Sequence, residues 1–174
     1  KGTSFMATKA AEDLLSKTKL DPKEIDLVLV ATATRDMQAA STASFVASNI
    51  GATNAFAFDL DSACSSFLFG MSVVSSYIES GKYKKVLLIG ADKNSSMIDY
   101  SDRATCIIFG DGAGAVLFEP NTEGFGLLDE YLRTDGSGRE FLHQKAGQLW
   151  ICDDKEKCIQ FDEWKKGYKP KWCC

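Results

Sequence analysis

The 174-residue sequence contains a single histidine, His143, and no cluster of histidine and cysteine at zinc-ligand spacing, so a metal site is not expected. It lacks a lysine and arginine stripe, and no aromatic residues are interleaved with basic ones. With Lys+Arg 20 against Asp+Glu 24 and a net charge of −4, nothing points to nucleic acid. The opening residues show neither the apolar stretch of a secretory signal nor the bias of a transit peptide, which makes a cytoplasmic setting the expectation. One charge-free run, Ser62 to Ile78, covers 17 residues but includes six serines and a glycine. It falls short of a membrane span and reads instead as a buried helix.

What is present is enough for one globular core: 45% of the residues are apolar and 25% charged. The six cysteines divide unevenly. Cys64 and Cys106 lie in the body, whereas Cys152, Cys158, Cys173 and Cys174 fall in the last 23 residues. An even count is compatible with disulfides, but no other feature suggests secretion. The same final stretch carries all three tryptophans, Trp150, Trp164 and Trp172, and weak periodicity, so the composition shifts near Gly147.

Ahead of that shift, helical and strand patterns alternate. Thr3 or Ser4 can cap a helix through about Ser16, and a Leu-Asp-Pro-Lys-Glu turn feeds an apolar strand from Ile25. A second helix fits Ser41 to Asn49, stopped by Gly51. A strand over Ala55 to Leu60, a helix over about Ser65 to Ser80 and a strand from Lys85 to Ala91 follow. Gly114 to Phe118 and Gly126 to Leu132 read as a final antiparallel pair. Strands apolar on both faces, alternating with helices, predict a layered α/β fold around a mixed, mostly parallel sheet.

Cys64 stands out because it lies where an apolar strand meets the uncharged helix. A helix N-terminus carries unpaired N–H groups and about half a positive charge, an environment that stabilises a thiolate. From position alone Cys64 is either a nucleophile or a small buried core residue. On the helix behind it, Phe67, Met71, Val74 and Ile78 share one face and Phe69, Val73 and Tyr77 a neighbouring one, with no charge before Glu79. A surface helix needs a charged face. This one should be covered on more than one side, which a single sheet cannot do, and a fragment or a subunit interface is the expectation.

Three segments then become recognisable in order: Asp59-Leu-Asp-Ser-Ala-Cys-Ser-Ser-Phe67, Tyr83-Lys-Lys-Val-Leu-Leu-Ile-Gly-Ala-Asp-Lys93 and Asp102-Arg-Ala-Thr-Cys-Ile-Ile-Phe-Gly-Asp-Gly-Ala-Gly-Ala115. Together they resemble β-ketoacyl-acyl-carrier-protein synthase III, the initiating condensing enzyme of bacterial fatty-acid synthesis. The resemblance runs from about Thr3 to Gly147. It implies the N-terminal half of a thiolase-like layered fold with a buried nucleophile helix, incomplete at both ends relative to the family. Residues 148–174 form a non-matching tail for which disorder is an expectation.

The resemblance implies a decarboxylative Claisen condensation. An acyl-CoA, typically acetyl-CoA, acylates Cys64, and malonyl-acyl carrier protein then supplies the attacking enolate. Both are substrates, so no cofactor is expected. Arg103 matches the arginine that stacks on the CoA adenine, although the family's partner tryptophan is absent. Phe109 and Leu142 match residues lining the acyl pocket. His143 falls in the same segment but precedes no Ala-Asn and reads as a loop residue. The family's His-Gln-Ala-Asn and Gly-Asn-Thr-Ser motifs, which hold the decarboxylation donors, do not occur in these 174 residues. The Gly110 to Gly114 run lacks the Lys-Ser/Thr ending of a phosphate loop and is read as close backbone packing near the site. Acyl carrier protein and acyl-CoA are the implied partners, with a homodimer formed through the strand Ala55 to Leu60. Two other readings remain. One is a non-catalytic dimerising or acyl-accepting half-domain. The other is a different thiolase-like condensing enzyme, of the polyketide or HMG-CoA synthase type.

Overall fold

A computed structural model of the chain describes residues 1–98, 100, 101, 103 and 106–138. Leu142, His143 and the boundary expected near Gly147 lie outside the described residues, as does the tail beyond it. The chain divides into two compact units, Lys1–Leu132 and Arg133–Cys174. In the second, the described part holds a short 3₁₀ turn at Gly136–Gly138.

The first unit runs α1 (Thr3–Thr18), β1 (Leu27–Ala31), α2 (Thr42–Ile50), β2 (Phe56–Leu60), α3 (Ser66–Glu79), β3 (Val86–Lys93) and β4 (Asp111–Phe118). The strands form one sheet in the order β2-β1-β3-β4. β1 pairs in parallel with both β2 and β3, placing Leu29 beside Phe58 and Leu88, and β4 returns antiparallel to β3. Every residue of β1 is buried. That follows from its central position with helices on both faces, and it explains the unbroken Leu-Val-Leu-Val-Ala run.

The pleat sorts this run into two cores. Val28, Val30, Leu87 and Ile89 point to one side, where Ala7 and Ala11 of α1 and Ala43, Val46 and Ile50 of α2 cover them. Leu27, Leu29, Val86 and Leu88 point to the other side, against Val74, Phe67 and Met71 of α3. Complete burial of side chains of this size contributes roughly 1.5–3 kcal/mol each. α3 approaches closely because Gly70 faces the sheet; a Cβ there would meet Leu88 Cδ1 at 2.8 Å. Only one stripe of α3 is covered in this way. Ser66, Gly70 and Val74 are its buried residues, and Leu68 is 60% exposed. The covering layer expected for its other faces is not found among the described residues.

The helix starts depend on carboxylates far away in sequence. The N-cap of α1 is Gly2 rather than the expected Thr3 or Ser4, and the Thr3 and Ser4 N–H groups donate to Asp36 at 2.6 and 3.0 Å. Gly2 leaves room for this, since a Cβ would sit 2.3 Å from Asp36 Oδ1. At α2, Ser41 accepts from the Ser44 N–H as expected of a cap, and Asp59 of β2 accepts from the Thr42 and Ala43 N–H groups at 2.7 Å each. A carboxylate at this end satisfies otherwise orphaned donors and complements the helix dipole. α2 ends at Gly51 in the left-handed region.

The expected pairing of 114–118 with 126–132 is wrong. β4 begins earlier, at Asp111, and pairs with β3, while residues 126–132 belong to no strand. Leu128 is 86% and Tyr131 83% exposed, so an apolar pattern alone does not make a strand here. No helix among the described residues is long and apolar enough to cross a membrane.

The doubly anchored start of α2 gives a direct test. Asp59→Ala is expected to lower unfolding free energy by about 1–2 kcal/mol in urea denaturation, in the range of lost helix caps. Lys17→Ala, which removes an exposed i,i+4 pair with Asp13, should change it by less than about 0.5 kcal/mol.

Candidate active site

β2 ends at Leu60 and α3 begins at Ser66, so the chain must reverse within five residues. It does so through a web of short side-chain-to-backbone hydrogen bonds. Asp61 Oδ1 accepts from the Ala63 N–H at 3.0 Å, an Asx turn. The buried Ser66 hydroxyl accepts from the Ser62 N–H at 2.7 Å and donates to the Ala63 carbonyl at 2.6 Å. The Ser65 and Ser66 N–H groups close on the carbonyls of Ser62 and Ala63. The result forces Ala63 to φ +48°, a left-handed conformation that costs a non-glycine residue roughly 1–2 kcal/mol. Strain of this kind persists only where the surroundings over-determine it.

Cys64 follows directly. It is exposed and sits two residues before the first helical residue of α3, with Ser65 as N-cap. The nucleophile of the sequence reading therefore stands at the tip of the helix, ahead of its first turn. The alternative reading as a buried core residue does not hold.

Cys64 borders a cavity of about 300 Å³ lined by Ala31 at the end of β1, Ala63 and Phe67 around the turn, Gly90 and Asp92 of β3, and Gly112 of β4, among others. It opens at the carboxyl ends of the parallel strands, where open α/β sheets bind ligands. The wall is built almost entirely from small residues. At Gly90 the reason is contact, because a Cβ would lie 3.1 Å from the Phe67 ring. At Gly110, Gly112 and Gly114 it is different: an added Cβ would meet nothing within 4 Å. Close packing, the expectation for this run, is therefore not its role within the described residues. These glycines leave the wall bare of side chains.

Among the described residues, Cys64 and Asp92 are the ionisable ones of the lining. Asp92 Oδ1 accepts from Thr32 Oγ1 at 3.1 Å, the Ala33 N–H at 2.9 Å and Thr34 Oγ1 at 3.2 Å, tying the end of β3 to the chain leaving β1. Thr32 and Thr34 are buried, and this carboxylate gives their hydroxyls an acceptor. Sequence reasoning passed over Asp92 and Ser66. An acid closing an otherwise apolar strand, and a serine two residues after the cysteine, were the available signals. Beside the cavity, Ser95 donates its hydroxyl and its backbone N–H to Asp111, which holds that carboxyl below the ordinary aspartate value.

The other expected site residues are more dispersed. Phe109 is half-buried and adjoins the lining residue Gly110, without lining the cavity itself. Arg103 is exposed, outside the cavity wall. Leu142 lies outside the described residues. Among the described residues no group of three or more His, Cys, Asp or Glu side chains is arranged to hold a metal ion.

The strained turn makes an unusual forecast. Ala63→Gly should leave the fold intact and raise unfolding free energy by up to about 1 kcal/mol, since glycine adopts this φ freely. Ala63→Val should lower it by about 1 kcal/mol or more, because a β-branched residue is more costly there. Thermal or urea unfolding of the two variants reads both effects.

Residues 58–136 match the family model for 3-oxoacyl-[acyl-carrier-protein] synthase III. A curated relative, β-ketoacyl-[acyl-carrier-protein] synthase III 1 of Bacteroides thetaiotaomicron, is 57% identical over 146 residues, covering 84% of this chain and 44% of the relative. The synthase III of Chlorobium phaeovibrioides is 52% identical over 149 residues, 84% of this chain and 45% of that one. Among solved structures, synthase III from Thermus thermophilus superposes with a TM-score of 0.80 at 37% identity, covering 84% of this chain and 46% of that one. The chain thus spans less than half the length of the relatives it matches. In sequence and in fold it corresponds to the N-terminal part of the β-ketoacyl-acyl-carrier-protein synthase III family, with its thiolase-like architecture.

Proposed function

We propose that this chain carries the acyl-accepting portion of a β-ketoacyl-acyl-carrier-protein synthase III, with Cys64 as the nucleophile. The observation that carries the reading is the exposed Cys64 thiol at the tip of α3, on the wall of a cavity whose small residues leave room for a thioester. The thiolate attacks the carbonyl of an acyl-CoA. The tetrahedral intermediate collapses with loss of the CoA thiolate, which takes up a proton, and the acyl group stays on sulfur. Exchange of one thioester for another is nearly balanced, and sulfur is a strong nucleophile near neutral pH. Negative charge develops on the carbonyl oxygen in this step, and the backbone N–H of Cys64 is the donor proposed to meet it.

In the whole enzyme the enolate formed by decarboxylation of malonyl-acyl carrier protein attacks the acyl-Cys64 carbonyl. That step needs aimed donors. Among the described residues no histidine or asparagine lines the cavity. Removing one such donor costs about 10² to 10³ in rate, so acylation without condensation is the activity proposed for these residues by themselves. Phe109, which adjoins the lining residue Gly110, and Leu142 are proposed to wall the acyl chain where it extends past the cavity, and Arg103 to hold the CoA adenine, a role suited to a planar guanidinium. Pairing of two copies through β2 is supported by its place at the edge of the sheet with residues half-buried or exposed along its length.

Incubation with isotopically labelled acetyl-CoA followed by peptide mapping tests the reading. Label is expected on the Cys64 peptide, absent from Cys64→Ala and retained in Cys106→Ser. Phe109→Ala should shift the preference toward longer acyl-CoAs by about 10-fold or more, the scale of added room in an apolar pocket. A Cys64 peptide without label, or label confined to other cysteines, contradicts the proposal.

A further inference from the structure

Four aspartates cluster where β1, β2 and β3 end, and three of them are held mainly by N–H or hydroxyl donors. Asp36 takes the first N–H groups of α1, Asp59 those of α2, and Asp92 the hydroxyls of Thr32 and Thr34 with the Ala33 N–H. Asp61 differs. Its Oδ1 accepts from the Ala63 N–H, in the residue immediately before Cys64, while its Oδ2 lies 3.0 Å from the Arg35 guanidinium. Among the described residues, it is the one of the four that is paired with a cation.

We infer that Arg35 is a positioning residue for the Cys64 site, acting through Asp61: it neutralises the carboxylate that braces the strained turn, so that the mouth of the cavity admits anionic reagents. Both side chains are 39% exposed, so the pair adds little to global stability. Its effect is local. The Asx turn needs an acceptor at residue 61, and an ionised one supplies the stronger hydrogen bond to the left-handed Ala63. Unpaired, the same carboxylate would place a negative charge three residues from the nucleophile, well within the Debye length of about 8–10 Å, and would repel anions approaching the sulfur. A guanidinium fixed by an ion pair removes that field without occupying the cavity. Arg35 comes from the chain leaving β1 and Asp61 from the chain leaving β2, so the pair also links the segments that follow these two strands.

The functional value of this device rests on the acyl-thioester reading, because CoA and carrier-bound malonate are anionic. Its test does not. On the full 174-residue chain, the rates of Cys64 alkylation by iodoacetate, an anion, and by neutral iodoacetamide are measured by peptide mapping at low and physiological salt. Arg35→Ala is expected to lower the iodoacetate-to-iodoacetamide rate ratio about threefold or more at low salt, with a smaller drop at physiological salt. Arg35→Lys should retain most of the ratio, Asp61→Asn should raise it, and the distant Lys82→Ala should leave it unchanged. A turn that is merely loosened changes both reagents together and leaves the ratio where it was. An unchanged ratio in Arg35→Ala overturns the inference, and so does an equal fall in Arg35→Lys. Failure of acetyl transfer with these ratios as expected would count against the proposed function alone.

Discussion

The left-handed turn at Ala63 is the constraint on which the site depends. A strand that ended without it would send the next helix off in another direction, and Cys64 would not meet the ends of β1 and β3. The conformation is unfavourable for alanine, yet it is fixed from both sides, by Asp61 on its N–H and by the Ser66 hydroxyl on its carbonyl. Each bond is modest, about 1 kcal/mol net. Together they match the cost of the backbone geometry, and they work only because the completed sheet brings β2 and α3 to fixed positions.

The same economy of means recurs through the fold. Carboxylates at strand ends anchor backbone donors elsewhere: Asp26 holds the Lys84 and Lys85 N–H groups at the start of β3, Asp36 holds α1 and Asp59 holds α2. Each satisfies donors that a helix or strand terminus leaves orphaned. These aspartates thus serve as local staples of the framework.

Much of this was legible because periodicity reports burial. The strand expected from Ile25 read as apolar on both faces, and the strand found, Leu27–Ala31, lies inside the sheet with every residue covered. Gly51 marked the end of α2, and it occupies the left-handed region. The charge-free surface of α3 foretold a helix that one sheet would not cover, and Leu68 at 60% exposure is what remains uncovered here. Cys64 was singled out from the junction of an apolar strand with that helix, and it lies exposed at that junction. The caps from Asp36 and Asp59 were illegible for a simple reason: their partners lie 33 and 17 residues away, and only the tertiary fold brings them together. The misread pair at 126–132 shows the limit of local pattern, since β4 takes its partner from β3 across a long loop. The bare glycine wall was visible as composition, but whether it meant contact or open space depended on what stood opposite.

The most direct test is a crystallographic determination of the chain with a carboxamidomethyl group on Cys64. The account predicts Ala63 at positive φ, Asp61 and Ser66 on its backbone, and the added group lying in the cavity between Ala31, Gly90 and Gly112. Ala63 in the ordinary right-handed or extended region, with the modified sulfur turned away from the ends of β1 and β3, would contradict it.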